Sequence, residues 1–176
     1  TFYKTPTDIS EAMNGVYNTL FVDNVHSNEH LAANLLSDLM LGGGGPDDVS
    51  AKNVDNFQDP AEDTYQDLWI ETYNGVLRAN AISEAVEDAD YALYFDSRSD
   101  AEEFKKATLG EAYFMRGFLM YRAARFFGGM PLILSSDAQR DVPRASIPET
   151  WGVIASDFIK ATEYLPSRTA SSFSIS

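Results

Sequence analysis

The chain has 176 residues and a mass of 19.5 kDa, and its 44% hydrophobic content is ample for a core, which excludes disorder as an overall reading. Against 13 Lys plus Arg stand 27 Asp plus Glu, a formal net charge of -14 that repels phosphate backbones and anionic headgroups, so nucleic acid and peripheral membrane surfaces are not expected partners. Cysteine is absent, which removes disulfides and thiolate-held metals from the residues given, and no run approaches the ~20 apolar residues that cross a bilayer as a helix.

Thr7, Asp8 and Glu11 place a capping hydroxyl and two acids where a helix N-terminus has unpaired N–H groups. Ile9, Met13, Val16 and Leu20 follow at helical spacing, so a helix is expected from Thr7 to Val22. From Asp23 to Asp63 the pattern breaks into polar residues, the glycine run Gly42 to Gly45 and Pro46. Leu31 to Leu41 inside this stretch reads as a helical turn or a strand. The excursion 28–64 is longer than ordinary loops and is the first place to seek a ligand.

Periodicity returns at Tyr65 and holds to Val86 through Leu68, Trp69, Thr72, Val76, Ala79 and Ile82. Asp100 is positioned to cap a further helix running through Phe104, Ala107, Phe114, Phe118 and Tyr121 to Phe127. Residues 65–127 therefore form a helical hairpin, with Trp and Tyr on the first arm facing the small residues Gly110, Ala112 and Gly117 of the second. Gly128 and Gly129 can close the last carbonyls in a left-handed conformation, and Pro131 prevents resumption. Leu132 to Leu134 reads as an extended apolar piece. A connector with Pro143 and Pro148 leads to a further helix within 147–166, where Trp151, Ile154, Phe158, Ala161 and Leu165 share a face until Pro166. A Ser-rich tail from Ser167 to Ser176 follows, leaving that helix without a later partner. The fold class expected is all-α, with tetratricopeptide-like hairpins and long irregular loops.

Chemistry is sparse. Gly42 to Gly45 lacks the Lys and Ser or Thr of a phosphate loop, and Asp47 and Asp48 follow instead. Asp47, Asp48, Asp55, Asp59 and Asp63 offer hard oxygens without the order of a calcium loop, and read as solvated acids. His26 and His30 stand four residues apart with no third ligand evident, so no metal is expected. No nucleophile elbow or Ser, His and Asp set is written, and Glu71, Glu84, Glu102 and Glu111 fall on mixed helical faces, where solvated acids are the default reading. Trp69, Tyr73, Phe114, Phe118 and Trp151 lie on helical stripes and are assigned to the core. Phe57 has no periodic partner. Asp47, Asp48, Asn53, Asp55 and Phe57 are the candidate ligand-binding residues, with acids, amides and one ring suited to sugar hydroxyls or peptide backbone.

The order of the segments resembles the SusD/RagB family of Bacteroidetes outer-membrane lipoproteins. The resemblance is carried by Trp69, Tyr73 and Arg78-Ala79-Asn80, then Glu111-Ala112, Phe114, Arg116 and Tyr121, then Phe127-Gly128-Gly129-Met130-Pro131-Leu132. It continues in Val142, Arg144, Ser146, Ile154, Asp157-Phe158, Ala161 and Leu165-Pro166. It implies a surface-exposed protein, held at the outer membrane by a lipid anchor upstream of Thr1, that lids a SusC-like TonB-dependent transporter barrel. It further implies capture of an oligosaccharide or oligopeptide with no cofactor and no enzymatic chemistry. Family proteins are roughly three times longer, so 1–176 is expected to be an N-terminal portion of the helical domain. Tyr113 stands where such proteins often carry Arg, and residues 28–64 hold no Trp or Tyr. The alternative expectation is a structural or assembly subunit of an outer-membrane complex with no nutrient ligand. Under the capture reading the loop acids would repel an anionic oligomer and tolerate a neutral or cationic one.

Overall fold

Thr5 opens the first helix, two residues ahead of the hydroxyl that periodicity suggested. Its Oγ1 accepts from the Asp8 amide at 3.1 Å, and Asp8 Oδ2 accepts from the Thr5 amide at 3.0 Å. With Pro6 in the first turn, this capping box satisfies the free donors of α1, Pro6–Asn18. The computed structural model describes residues 3–58, 65–139 and 141–167, with the backbone alone for 23–28. After α1 come α2 (Asp23–Leu36), α3 (Val49–Asp55), α4 (Gln66–Asp88), a 3-10 turn (Ala92–Tyr94), α5 (Arg98–Phe127) and α6 (Ile147–Tyr164).

Two expectations change here. Leu20 lies beyond α1, which ends at Asn18, and the supposed irregular excursion contains two helices. The segment Leu31 to Leu41, expected as a helical turn or a strand, overlaps the end of α2, whose buried face among the described side chains holds only Ala32 and Leu35. Too few apolar residues recur to draw a stripe, and contacts with other helices stabilise α2 where its own pattern is weak. Of the Ser-rich tail, 168–176 lies outside the described residues.

The fold is mainly helical, as expected. α4 and α5 form the hairpin, and Val76, Ala79, Ile82 and Val86 of α4 share one core with Ala112, Met115, Leu119 and Met120 of α5. α1 adds Ile9, Met13 and Val16 to this core, and α6 adds Ile154. The cap of α5 is Ser97, whose side chain accepts from the Asp100 amide at 3.1 Å. Asp100 is therefore the third helical residue, an acid in the first turn beside the positive helix end. Gly128, at φ 70, ends α5 in the left-handed region.

The small residues of α5 serve a different neighbour from the one expected. A Cβ on Gly110 would meet the Leu165 amide nitrogen at 2.9 Å and Tyr164 Cβ at 3.0 Å, and one on Gly117 would meet Asp157 Cβ at 3.1 Å. Gly110 and Gly117 thus admit α6, and α6 has its partner in α5. A second capping box starts α6, with Ser146 and Glu149 bonded reciprocally and Pro148 in the first turn.

Beneath this contact Arg116 forms a forked pair with Asp157, Nε to Oδ2 at 2.8 Å and Nη2 to Oδ1 at 2.6 Å. Its Nη1 donates to Asn80 Oδ1 at 2.8 Å, and Asn80 Nδ2 donates to the Ile133 carbonyl at 3.0 Å. One buried cation thereby ties α4, α5, α6 and the extended segment after Pro131 together. That segment makes a single antiparallel bridge, Pro131 to Arg144, and Tyr73 donates its hydroxyl to the Pro131 carbonyl at 2.9 Å.

Among the aromatic residues assigned to the core, Trp69 packs edge-on to Phe127 with ring centroids 5.0 Å apart. Phe114 and Trp151, at 39% and 38% exposure, lie on the surface of the α5–α6 pair. Helical periodicity identifies a face but not whether another element covers it. Among the described residues no helix is long and apolar enough to cross a membrane.

Candidate functional site

α2, α3 and the glycine run between them form a lobe beside the main bundle with a small core of its own. Ala32, Leu35 and Val54 are buried together, flanked by Leu36, Ala51, Tyr65 and Phe126. Glu29 latches α2 to α5. Its Oε2 accepts from Arg122 Nε at 2.9 Å and also from Arg122 Nη2, while Oε1 accepts from Arg125 Nη2 at 2.8 Å.

The glycine run folds back onto α3 through the carboxylates read as candidate ligand groups. Asp48 Oδ2 accepts from the amides of Gly44 and Gly45 at 2.8 and 3.2 Å, and Asp55 Oδ2 accepts from Gly42 N at 3.0 Å. The Gly44 amide, then that of Gly45, holds the Asp48 carboxyl below its ordinary range. Lys52 Nζ donates to the Gly45 carbonyl at 2.5 Å. Gly42 has no room for a side chain, since a Cβ would stand 2.5 Å from the Ala51 carbonyl oxygen, and Gly43 sits at φ 84. Loop amides that could receive a phosphate are directed instead at the chain's own acids.

Of the five candidates, Asp48 and Asp55 therefore shape the loop. Asp47 is exposed, and its backbone carbonyl accepts from Val49 N at 2.9 Å. Asn53 is half-buried, with its carbonyl accepting from Gln58 N at 2.7 Å. Phe57 is 73% exposed and sits at φ 53, an uncommon conformation for a bulky residue. Asp59 and Asp63, like the side chain of His26, lie outside the described residues. Among the described residues no group of three His, Asp or Glu could hold a metal ion.

Asp47 and Asp48 stand over a depression of about 290 Å³ lined by Leu31, Ala32, Leu35, Ser50, Ala51 and Val54. Asn53, Asp55 and Phe57 are not in its wall. Sequence reasoning missed the apolar lining, for which the signal was Leu31, Ala32 and Leu35 at one, two and five in helical order. It also missed the exposed Leu39 and Leu41, at 76% and 90%. The scattered glutamates hold the fold together: Glu111 accepts from Tyr17 at 2.6 Å, Glu71 from Asn74 at 3.2 Å, and Glu84 from Ser136 N at 2.9 Å.

Residues 2–175 match a SusD-like family model described as starch-binding associating with outer membrane. The chain belongs to the SusD-like family. A curated relative, SusD-like protein P2 of Formosa agariphila, is 29% identical over 172 residues, covering 94% of this chain and 32% of its own length. Among solved structures, a SusD superfamily protein from Bacteroides vulgatus superposes with a TM-score of 0.75 at 21% identity, covering 96% of this chain and 36% of that one. A laminarin binding SusD-like protein superposes with a TM-score of 0.74 at 21% identity, covering 93% and 35%. The chain thus spans about a third of the length of these proteins.

Proposed function

We propose that this SusD-like chain serves a non-enzymatic, surface-exposed outer-membrane lipoprotein that captures oligomeric nutrients, glycan or peptide, and delivers them to a SusC-like TonB-dependent transporter. The family match across residues 2–175, described as starch-binding associating with outer membrane, carries this reading. The laminarin-binding fold neighbour adds support for a glycan. In this reading the α2–α3 lobe meets the ligand. Asp48 and Asp55 hold the loop in shape, while Asp47, Asn53 and Phe57 supply polar contacts and a ring.

The experiment replaces Asp47, Asp48, Asn53, Asp55 and Phe57 together with Ala in the full-length protein. Uptake of neutral oligosaccharide and co-purification of the barrel are then measured. Loss of uptake with the barrel retained is the expected result, and unchanged uptake removes the lobe from the proposal. A second reading, an assembly subunit without nutrient ligand, is favoured by the exposed Leu39, Leu41 and Phe57, which suit a protein surface. It predicts loss of co-purification in the same variant.

A further inference from the structure

We infer that the depression between α2 and α3 is a subsite for a peptide segment bearing a lysine or arginine side chain next to an apolar one. This rests on the capture reading and adds a peptide subsite to that lobe beside the contacts proposed there for a glycan. The floor is made by Ala32, Leu35, Ala51 and Val54, with the Ser50 hydroxyl as the one side-chain hydroxyl in the lining. Sugar hydroxyls seated there would lose water and find few partners, whereas the methylene stem of a basic side chain loses nothing polar on entry. Among the lining residues Asp47 offers an exposed carboxylate. Asp48 is differently placed, since one of its oxygens serves the Gly44 and Gly45 amides and Lys52 offsets part of its charge. Asp47 is therefore the group left to meet an incoming ammonium or guanidinium, within a chain whose net charge of -14 draws cations toward it.

The surroundings fit the same ligand. The Gly42 backbone lies against Ala51, one of the residues lining the depression, and the neighbouring Leu41 is 90% exposed. Phe57 follows two residues after Asp55, whose carboxylate binds the Gly42 amide, and it stays 73% exposed at φ 53. An apolar floor with an exposed acid among its lining residues complements a basic side chain carried on an apolar stem.

The test is titration of the full-length protein with the amidated peptide acetyl-Ala-Leu-Lys-Ala, with its Nε-acetyl-lysine counterpart, and with a laminari-oligosaccharide. Wild type should bind the free-lysine peptide about ten-fold more tightly than the acetylated one, and Asp47→Asn should abolish that preference. Ala51→Leu, which fills the floor, should weaken the peptide and spare the sugar. Peptide binding that ignores lysine acetylation and both substitutions overturns the proposal, as does the absence of peptide binding. In the latter case retained laminari-oligosaccharide binding leaves nutrient capture standing while the subsite falls.

Discussion

Arg116 lies on α5 among residues that pack inward, and it is 7% exposed beside an Asp157 that is 1% exposed. A charge so placed is stable because all three of its nitrogens donate, two to Asp157 and one to Asn80. Arg116→Ala leaves the carboxylate of Asp157 buried and unpaired, and should lower unfolding free energy by about 3–5 kcal/mol in chemical denaturation. Arg116→Met combined with Asp157→Leu should lose far less, since no charge then remains in the core. If the double substitution proved as costly as the single one, the packing of the arginine stem would be the main contribution. Asp48 is the opposite case, an exposed acid whose value to the fold depends on pH. Its carboxyl is lowered from 3.8 by the amides of Gly44 and Gly45, so the charged form is favoured when the loop is folded. The stabilisation is fully present above pH 3.8 and is lost as the pH falls through the lower folded value. Amide exchange at Gly44 and Gly45 should stay protected at pH 5 and lose protection in stronger acid, and Asp48→Asn should flatten that dependence.

At the scale of elements, the glycines of α5 and α6 separate into those that admit a neighbour and those that do not. Gly110 is closed by the backbone of Leu165, whereas a Cβ on Gly152 would meet nothing within 4 Å. Gly110→Leu should therefore force α5 and α6 apart at a cost of about 1–3 kcal/mol. Gly152→Ala should instead add about 0.5–1 kcal/mol by favouring the helix. Urea midpoints of the two variants should move in opposite directions, and a neutral Gly110→Leu would show that α6 does not pack so closely. The same elements show how far local sequence speaks. The terminating Gly128 and the apolar repeats of α4, α5 and α6 mark helices that the structure contains, whereas the capping box of Ser146 and Glu149 was found only in the structure. Thr5 and Ser97 were passed over for Thr7 and Asp100, because a cap is identified by which oxygen reaches which amide, and several polar residues near a helix start compete for that position.

Across the whole molecule the core divides in two: a large cluster through α1, α4, α5 and α6, and a small one of Ala32, Leu35 and Val54 in the α2–α3 lobe. So small a cluster gives the lobe little stability of its own, and the Glu29 latch to Arg122 and Arg125 does much of the holding. Native-state exchange should find α2 and α3 opening well before α4 and α5. Glu29→Gln should speed exchange in α2 roughly five- to ten-fold while leaving α5 unaffected. Equal acceleration in both helices would mean that lobe and bundle unfold as one unit. A lobe that opens at low cost is also where a binding surface can adapt to its ligand.

Composition, periodicity and terminators by themselves determined that the chain is helical, that 65–127 folds as a hairpin and that a further helix follows Ser146, because these depend on local spacing and local backbone chemistry. The order of its motifs was enough to point to the SusD-like family that the comparison established. Only the tertiary structure decided that Gly110 and Gly117 receive α6, that Arg116 is buried, and that Phe114 and Trp151 are on the surface. It also made helices of 23–36 and 49–55, turned Asp48 and Asp55 into loop-shaping groups, and left Asp47 at the edge of an apolar depression. Each of these depends on which groups distant in the chain lie within a few ångströms of one another: Glu29 meets residues more than ninety positions away, and no local period encodes such a meeting.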